Sequence, residues 1–173
     1  MYNKQSRYAL MAVFASSALV SLYYTQYQLA AIAGLLFCFI LWSHFKYGSI
    51  VLASKYFKDK DYPRVAELLS EVQNPDRLAK NRRGYYEFMK AKLALENEDY
   101  EAAEYHYQIA SRFPLGGKND KAYVLINLAN LALRKKDAER TLAYTTKARE
   151  LANTSRAKEI IETIEQNAKK LAP

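Results

Sequence analysis

Across 173 residues the chain carries a formal charge of +8 and one cysteine, Cys38. A lone cysteine excludes an intrachain disulfide framework and a thiolate metal cluster, and the length leaves room for one domain of ordinary size. The charge is unevenly placed: from Tyr8 to Phe45 there is no Asp, Glu, Lys or Arg, although 25% of all residues are charged.

Two apolar runs fill that stretch, Tyr8 to Tyr24 and Tyr27 to Phe45, parted only by Thr25 and Gln26. At about 1.5 Å of rise per helical residue, each crosses most of a hydrocarbon layer roughly 30 Å thick. They are expected to form a transmembrane helical hairpin, with spans over about residues 8–24 and 27–45. A buried hairpin in a soluble fold would leave only about 125 residues to cover two helices that are apolar on every side. A cleaved signal peptide is opposed by the second apolar run, which follows at once. Tyr23, Tyr24 and Tyr27 at one end, and Trp42 and Tyr47 at the other, stand where aromatic residues gather at membrane interfaces. Small residues four apart, Ala12 and Ser16, Ser17 and Ser21, Ala30 and Gly34, permit close helix contact, which reads first as packing within the hairpin and second as a face for a partner. Cys38 lies inside the second span and reads as a small apolar side chain.

Lys4 and Arg7 precede the first span, Lys46, Lys55, Lys58 and Lys60 follow the second, and the connection carries none. By the positive-inside rule both termini should face the cytoplasm, and the protein should be a two-span integral membrane protein. Lys4 and Arg7 account for +2 of the charge, so the chain after the second span carries +6. That excess suits a domain held beside anionic lipid.

After residue 45 the chain repeats itself. At an offset of 38 residues Ala53, Ala91 and Ala129 align, as do Phe57, Leu95 and Leu133, then Asp61, Asp99 and Asp137, and later Val72, Ala110 and Ala148. Each copy has an apolar row before the Asp and a second row after it: Val65, Leu69 and Val72 in the first, Ala103, Tyr107 and Ala110 in the second. Spacings of three and four put each row on one helical face, and Asp at the junction is a good N-cap. Each unit is therefore expected to be helix, tight turn, helix, with Pro63 tolerated in the first turn of its helix. Beyond the third copy, Ala157, Ile160, Ile161, Ile164, Ala168 and Leu171 share one face of an expected terminal helix over about 155–171, capped by Thr154 or Ser155.

These residues resemble the tetratricopeptide repeat. Its first-helix pattern of large, large, small, large is similar to Leu125, Leu128, Ala129 and Ala132, and its second-helix pattern to Tyr100, Ala103, Tyr107 and Ala110. The resemblance covers roughly Ser49 to Ala152, with departures at Lys90, Thr141 and Thr145 and with connections longer than a period of about 34 allows. It implies an all-α fold: a transmembrane hairpin in residues 1–45, then an α-solenoid of about three helix pairs and a capping helix in residues 46–173. Two spans followed by such repeats are also similar, in architecture alone, to the start of HemY-type membrane proteins.

No catalytic constellation is present. His44 and His106 stand alone, no nucleophile or phosphate-binding loop motif occurs, and neither cofactor nor metal is expected. In the repeat family the first helix of each pair lines a concave groove, and here Tyr123, Asn127, Asn130 and Arg134 form a polar stripe at spacings of four, three and four. Asn at these positions beside a basic residue is similar to part of a clamp for a peptide carboxylate. The matching positions in the other copies are Phe88 and Lys92, then Ser54 and Lys58. The expected role is a scaffold binding a protein or peptide at the membrane face, with the bilayer as a second partner. A peripheral binder of anionic lipid or nucleic acid is the alternative. The basic run Arg77 to Arg83 reads first as a solvated linker, then as a lipid contact, and nucleic acid comes last because no nucleic-acid-binding fold surrounds it.

Overall fold

A computed structural model describes residues 4–171, and over those residues the chain is helical, with no strand. Nine α-helices follow one another among the described residues: α1 (Lys4–Tyr23), α2 (Tyr27–Tyr47), α3 (Ile50–Lys58), α4 (Tyr62–Ser70), α5 (Lys80–Glu96), α6 (Tyr100–Arg112), α7 (Lys118–Arg134), α8 (Ala138–Leu151) and α9 (Ser155–Leu171).

The Asp anchors explain how helices are paired. Asp61, Asp99 and Asp137 are the N-caps of α4, α6 and α8, accepting from the backbone N–H of Arg64 at 3.3 Å, Ala102 at 3.0 Å and Arg140 at 2.9 Å. The residue before each is left-handed, Lys60 at φ 58°, Glu98 at 59° and Lys136 at 58°. Two backbone bonds recur around it, as in a Schellman motif. Lys60 N donates to Phe57 O and Asp61 N to Tyr56 O; Glu98 N and Asp99 N do the same to Leu95 O and Ala94 O, and Lys136 N and Asp137 N to Leu133 O and Ala132 O. A single turn chemistry thus ends one helix and starts the next at each period.

Contacts divide the chain into two units, one running to Ala79 and one starting at Lys80. This division follows packing, whereas the boundary expected at residues 45 and 46 follows hydropathy. In the first unit α1 packs along α2 and α3 against α4. Met11, Ala30 and Ala33 are buried in the hairpin, while Val13, Leu19, Leu29, Ile32, Leu35 and Phe39 are exposed. Of the described helices α2 is the one long and apolar enough to cross a membrane by length and composition. Ser6, Ser16, Ser17 and Ser21, with the charged start of α1, lower the hydropathy of its neighbour. Gly48, at φ 51°, breaks the chain between α2 and α3, so the two are not one continuous helix. Val72, expected on the second helix of its pair, lies beyond the end of α4. Pro75 restricts Asn74 to extended backbone (φ −133°, ψ 97°), and a short 3-10 turn, Pro75–Arg77, follows.

In the second unit α5 folds back into α6 and α7 into α8, α6 packs on α7, and α9 lies against both α7 and α8. Its core holds Ala91, Ala103, Tyr107, Ala110, Leu128, Ala129 and Ala148, all essentially inaccessible. Thr141 and Thr145 are buried too, but their hydroxyls donate to Asp137 O at 2.6 Å and Leu142 O at 3.0 Å, so neither hydroxyl is stranded. On α9 the buried face is Ala157, Ile161, Ile164 and Ala168, and Thr154 Oγ1 accepts from Ala157 N at 3.4 Å, making Thr154 the cap.

Candidate functional site

The eight residues expected to line a groove fall on three helices. Ser54 and Lys58 lie on α3 in the first unit, where Ser54 Oγ donates to Ile50 O at 2.8 Å and Lys58 is exposed. The other six share the second unit, Phe88 and Lys92 on α5 and Tyr123, Asn127, Asn130 and Arg134 on α7. These two helices meet at their starts: Tyr85 donates its hydroxyl proton to Asp120 at 2.8 Å and accepts from Gly116 N at 3.1 Å. Burial, then the bond to Asp120, raises the Tyr85 pKa, so the phenol stays protonated and the link holds at neutral pH. Phe88 and Tyr123 lie three residues beyond that link, both half-buried against the core.

Several of these side chains are already engaged. Asn127 Nδ2 donates to Tyr123 O at 2.8 Å, one turn back along α7. Lys92 Nζ pairs with Glu96 at 2.5 Å. The Arg134 guanidinium lies 3.9 Å from the centroid of the Tyr100 ring, a cation–π contact between α7 and the start of α6. Phe88 packs its ring 6.1 Å from that of Tyr107, so it belongs partly to the core. Asn130 is exposed. The stripe is therefore a surface whose cations are held in place by an aromatic ring and a helical ion pair.

Two buried carboxylates nearby were not singled out from the sequence. The Glu87 side chain is 3% exposed and meets Arg83 Nη2 at 2.8 Å and His106 Nδ1 at 2.6 Å. Glu104 meets Lys135 Nζ and Arg140 Nη2, each at 2.6 Å, and accepts from Gln108 at 3.2 Å. Its pKa is held below the usual carboxylate range, first by the hydrogen bond from Lys135 and against the opposing effect of burial. The i,i+4 spacing of Arg83 and Glu87 was available as a signal; the partners from α6, the α7–α8 turn and α8 needed the fold. Both carboxylates are saturated by cations or ring N–H, which suits them to locking helices together. Arg83, in the run expected to be a solvated linker, is drawn into this cluster because α5 starts at Lys80. Among the described residues no group of three or more His, Cys, Asp or Glu is gathered as metal ligands.

No family model matches the chain, and comparison with curated proteins and with solved structures likewise finds no match.

Proposed function

We propose that this protein is a membrane-tethered adaptor: a two-span hairpin with both ends cytoplasmic, carrying a tetratricopeptide-like array of three helix pairs that binds a protein or peptide partner beside the bilayer. The observation that carries the reading is the thrice-repeated turn, with its left-handed residue and Asp cap at Lys60–Asp61, Glu98–Asp99 and Lys136–Asp137. The fully buried Ala53, Ala91 and Ala129, which let helices approach closely, support it further. The band of exposed apolar side chains on α1 and α2 supports insertion of the hairpin, since such a patch on a soluble protein would aggregate. Orientation follows from Lys4, Arg7, Lys46, Lys55, Lys58 and Lys60 lying on one side.

Recognition falls to the α7 stripe with Lys92, where Asn127 and Asn130 offer amides to a peptide backbone and the two cations attract an acidic group. The test is a crosslinking pull-down from native membranes, comparing the wild type with a triple variant, Asn127→Ala, Asn130→Ala and Arg134→Ala. A defined partner is expected to be lost from the variant while the thermal transition and membrane retention persist. Capture that is unchanged by all three substitutions removes this face from the proposal.

A further inference from the structure

Where the hairpin ends, the first unit encloses a cavity of about 290 Å³ between the start of α1, the end of α2 and the segment from Glu71 to Leu78. Its walls differ in character. Tyr8, Leu41 and Phe45 form an apolar side, and Tyr8 and Phe45 are 50% and 46% exposed, continuous with the apolar surface of the hairpin. Arg7, Ser49, Glu71 and Arg77 form the other.

The charges on that side do not cancel. Arg7 donates from Nη1 to Gly48 O at 2.7 Å and from Nη2 to Ser49 Oγ at 3.0 Å, and the Ser49 hydroxyl donates onward to Glu71. This relay commits the single carboxylate to Arg7. Arg7 Nε is buried with no acceptor among the described residues. Arg77 is exposed, with its guanidinium 5.6 Å from the centroid of the Phe45 ring, and it has no carboxylate partner among the described residues. The cavity thus offers a net positive charge and, in Arg77, an exposed guanidinium without an anionic partner beside an apolar wall. A guanidinium fork matches phosphate oxygens bidentately, and an apolar wall that runs on along two exposed helices matches acyl chains.

We propose that this cavity binds the phosphate of a glycerophospholipid, with Arg77 donating to its oxygens, Arg7 adding a second positive charge behind it and the acyl chains lying along the outer face of α1 and α2. The inference rests on the reading of the hairpin as membrane-embedded. A free phosphate shares the polar half of this chemistry but leaves the apolar wall unused.

The full chain in detergent micelles would be titrated by native mass spectrometry with phosphatidylglycerol, with diacylglycerol of the same acyl chains and with inorganic phosphate. Phosphatidylglycerol is expected to be retained and diacylglycerol not. Arg77→Gln is expected to weaken retention about tenfold, the equivalent of about 1.4 kcal/mol, whereas Arg77→Lys keeps most of it and Arg156→Gln, on α9, changes nothing. Equal retention of diacylglycerol, wild-type retention by a folded Arg77→Gln variant, or inorganic phosphate binding while phosphatidylglycerol does not, overturns the proposal. Alkaline carbonate extraction separates the two failures. A chain released from membranes refutes the embedded hairpin, whereas a chain retained in membranes with negative lipid arms refutes the cavity alone.

Discussion

Helix α5 carries a glycine where helix propensity alone would favour almost any other residue. Gly84 is buried, and a Cβ placed on it would lie 2.9 Å from the Pro114 carbonyl oxygen, 3.0 Å from Leu115 Cδ2 and 3.1 Å from Phe113 Cβ. Two effects therefore oppose each other in Gly84→Ala. Propensity favours the alanine by about 1 kcal/mol, while forcing a methyl into a filled space costs about 1–3 kcal/mol. The nearest obstacle is backbone oxygen on a proline, whose φ is fixed, so relief needs movement of the chain instead of rotation of a side chain. The upper part of the range applies, and the net loss is about 1–2 kcal/mol. For a unit of this size that lowers Tm by roughly 4–15 °C. Thermal unfolding of the full chain in detergent, followed by circular dichroism, measures it, with Gly34→Ala as comparison because a Cβ there meets nothing within 4 Å. A Tm that is unchanged or raised in Gly84→Ala would show that α5 does not approach the 113–115 segment this closely.

The caps and the buried acid give two more expectations. Replacing Asp99 or Asp137 by Ala should each cost about 1 kcal/mol while Asn in their place costs little; Asp61, with the longest cap bond at 3.3 Å, should matter least, and equal stability of Ala and Asp at all three would refute the shared turn. Glu104→Gln should destabilise by about 1–2 kcal/mol near neutral pH, a figure held down by the exposure of Lys135 and Arg140. Because the folded pKa of Glu104 is depressed, its contribution is full above the ordinary glutamate range and is lost as pH falls through the lower folded value, so the gap between wild type and variant should close in acid. A gap that persists or widens in a pH series of denaturant unfolding would contradict that sign.

What the sequence disclosed was whatever local chemistry and period determine together. The Asp caps, the small residues and the start of each second helix depend on neighbours within one turn, and the offset of 38 found them. The early end of α4 was harder, because Val72 continues the apolar row and only the restraint that Pro75 places on Asn74 stops it. The buried acids were illegible for another reason. Ser49, Glu87 and Leu125 occupy the same repeat position and all are buried, at 4%, 2% and 7% exposure, so the fold buries this position whatever stands there. Leu125 needs nothing more; Ser49 and Glu87 need partners, and apart from Arg83, one turn before Glu87, those come from Arg7, Glu71 and His106, farther off in the chain. Polarity in a core row looks like a departure from the pattern until those partners are in place. The residues proposed for recognition show the converse. Their spacing on α7 was legible, but the cation–π contact of Arg134 and the return bond of Asn127 depend on rotamers and on Tyr100 from the preceding helix.

The repeated turn reaches further back than the repeated sequence. Between α1 and α2, Thr25 is left-handed at φ 56°, Thr25 N donates to Leu22 O and Gln26 N to Ser21 O, the same two bonds that surround Lys60, Glu98 and Lys136. No Asp marks this turn, and Gln26 makes no side-chain cap, which is why alignment on the anchors passes over it. A β-branched residue is an unfavourable choice for φ > 0, so the geometry there is held by the backbone bonds and by the packing of Met11, Ala30 and Ala33 in the hairpin. The first helix pair therefore shares the turn geometry of the three that follow and differs in its side chains. Leu19, Leu29 and Phe39 face outward on it, where the later pairs present Glu101, Lys147 and Arg149 or their like. A backbone hairpin of one design can serve lipid and water alike when the turn satisfies its own N–H and C=O groups, because only the outward side chains then have to match the solvent.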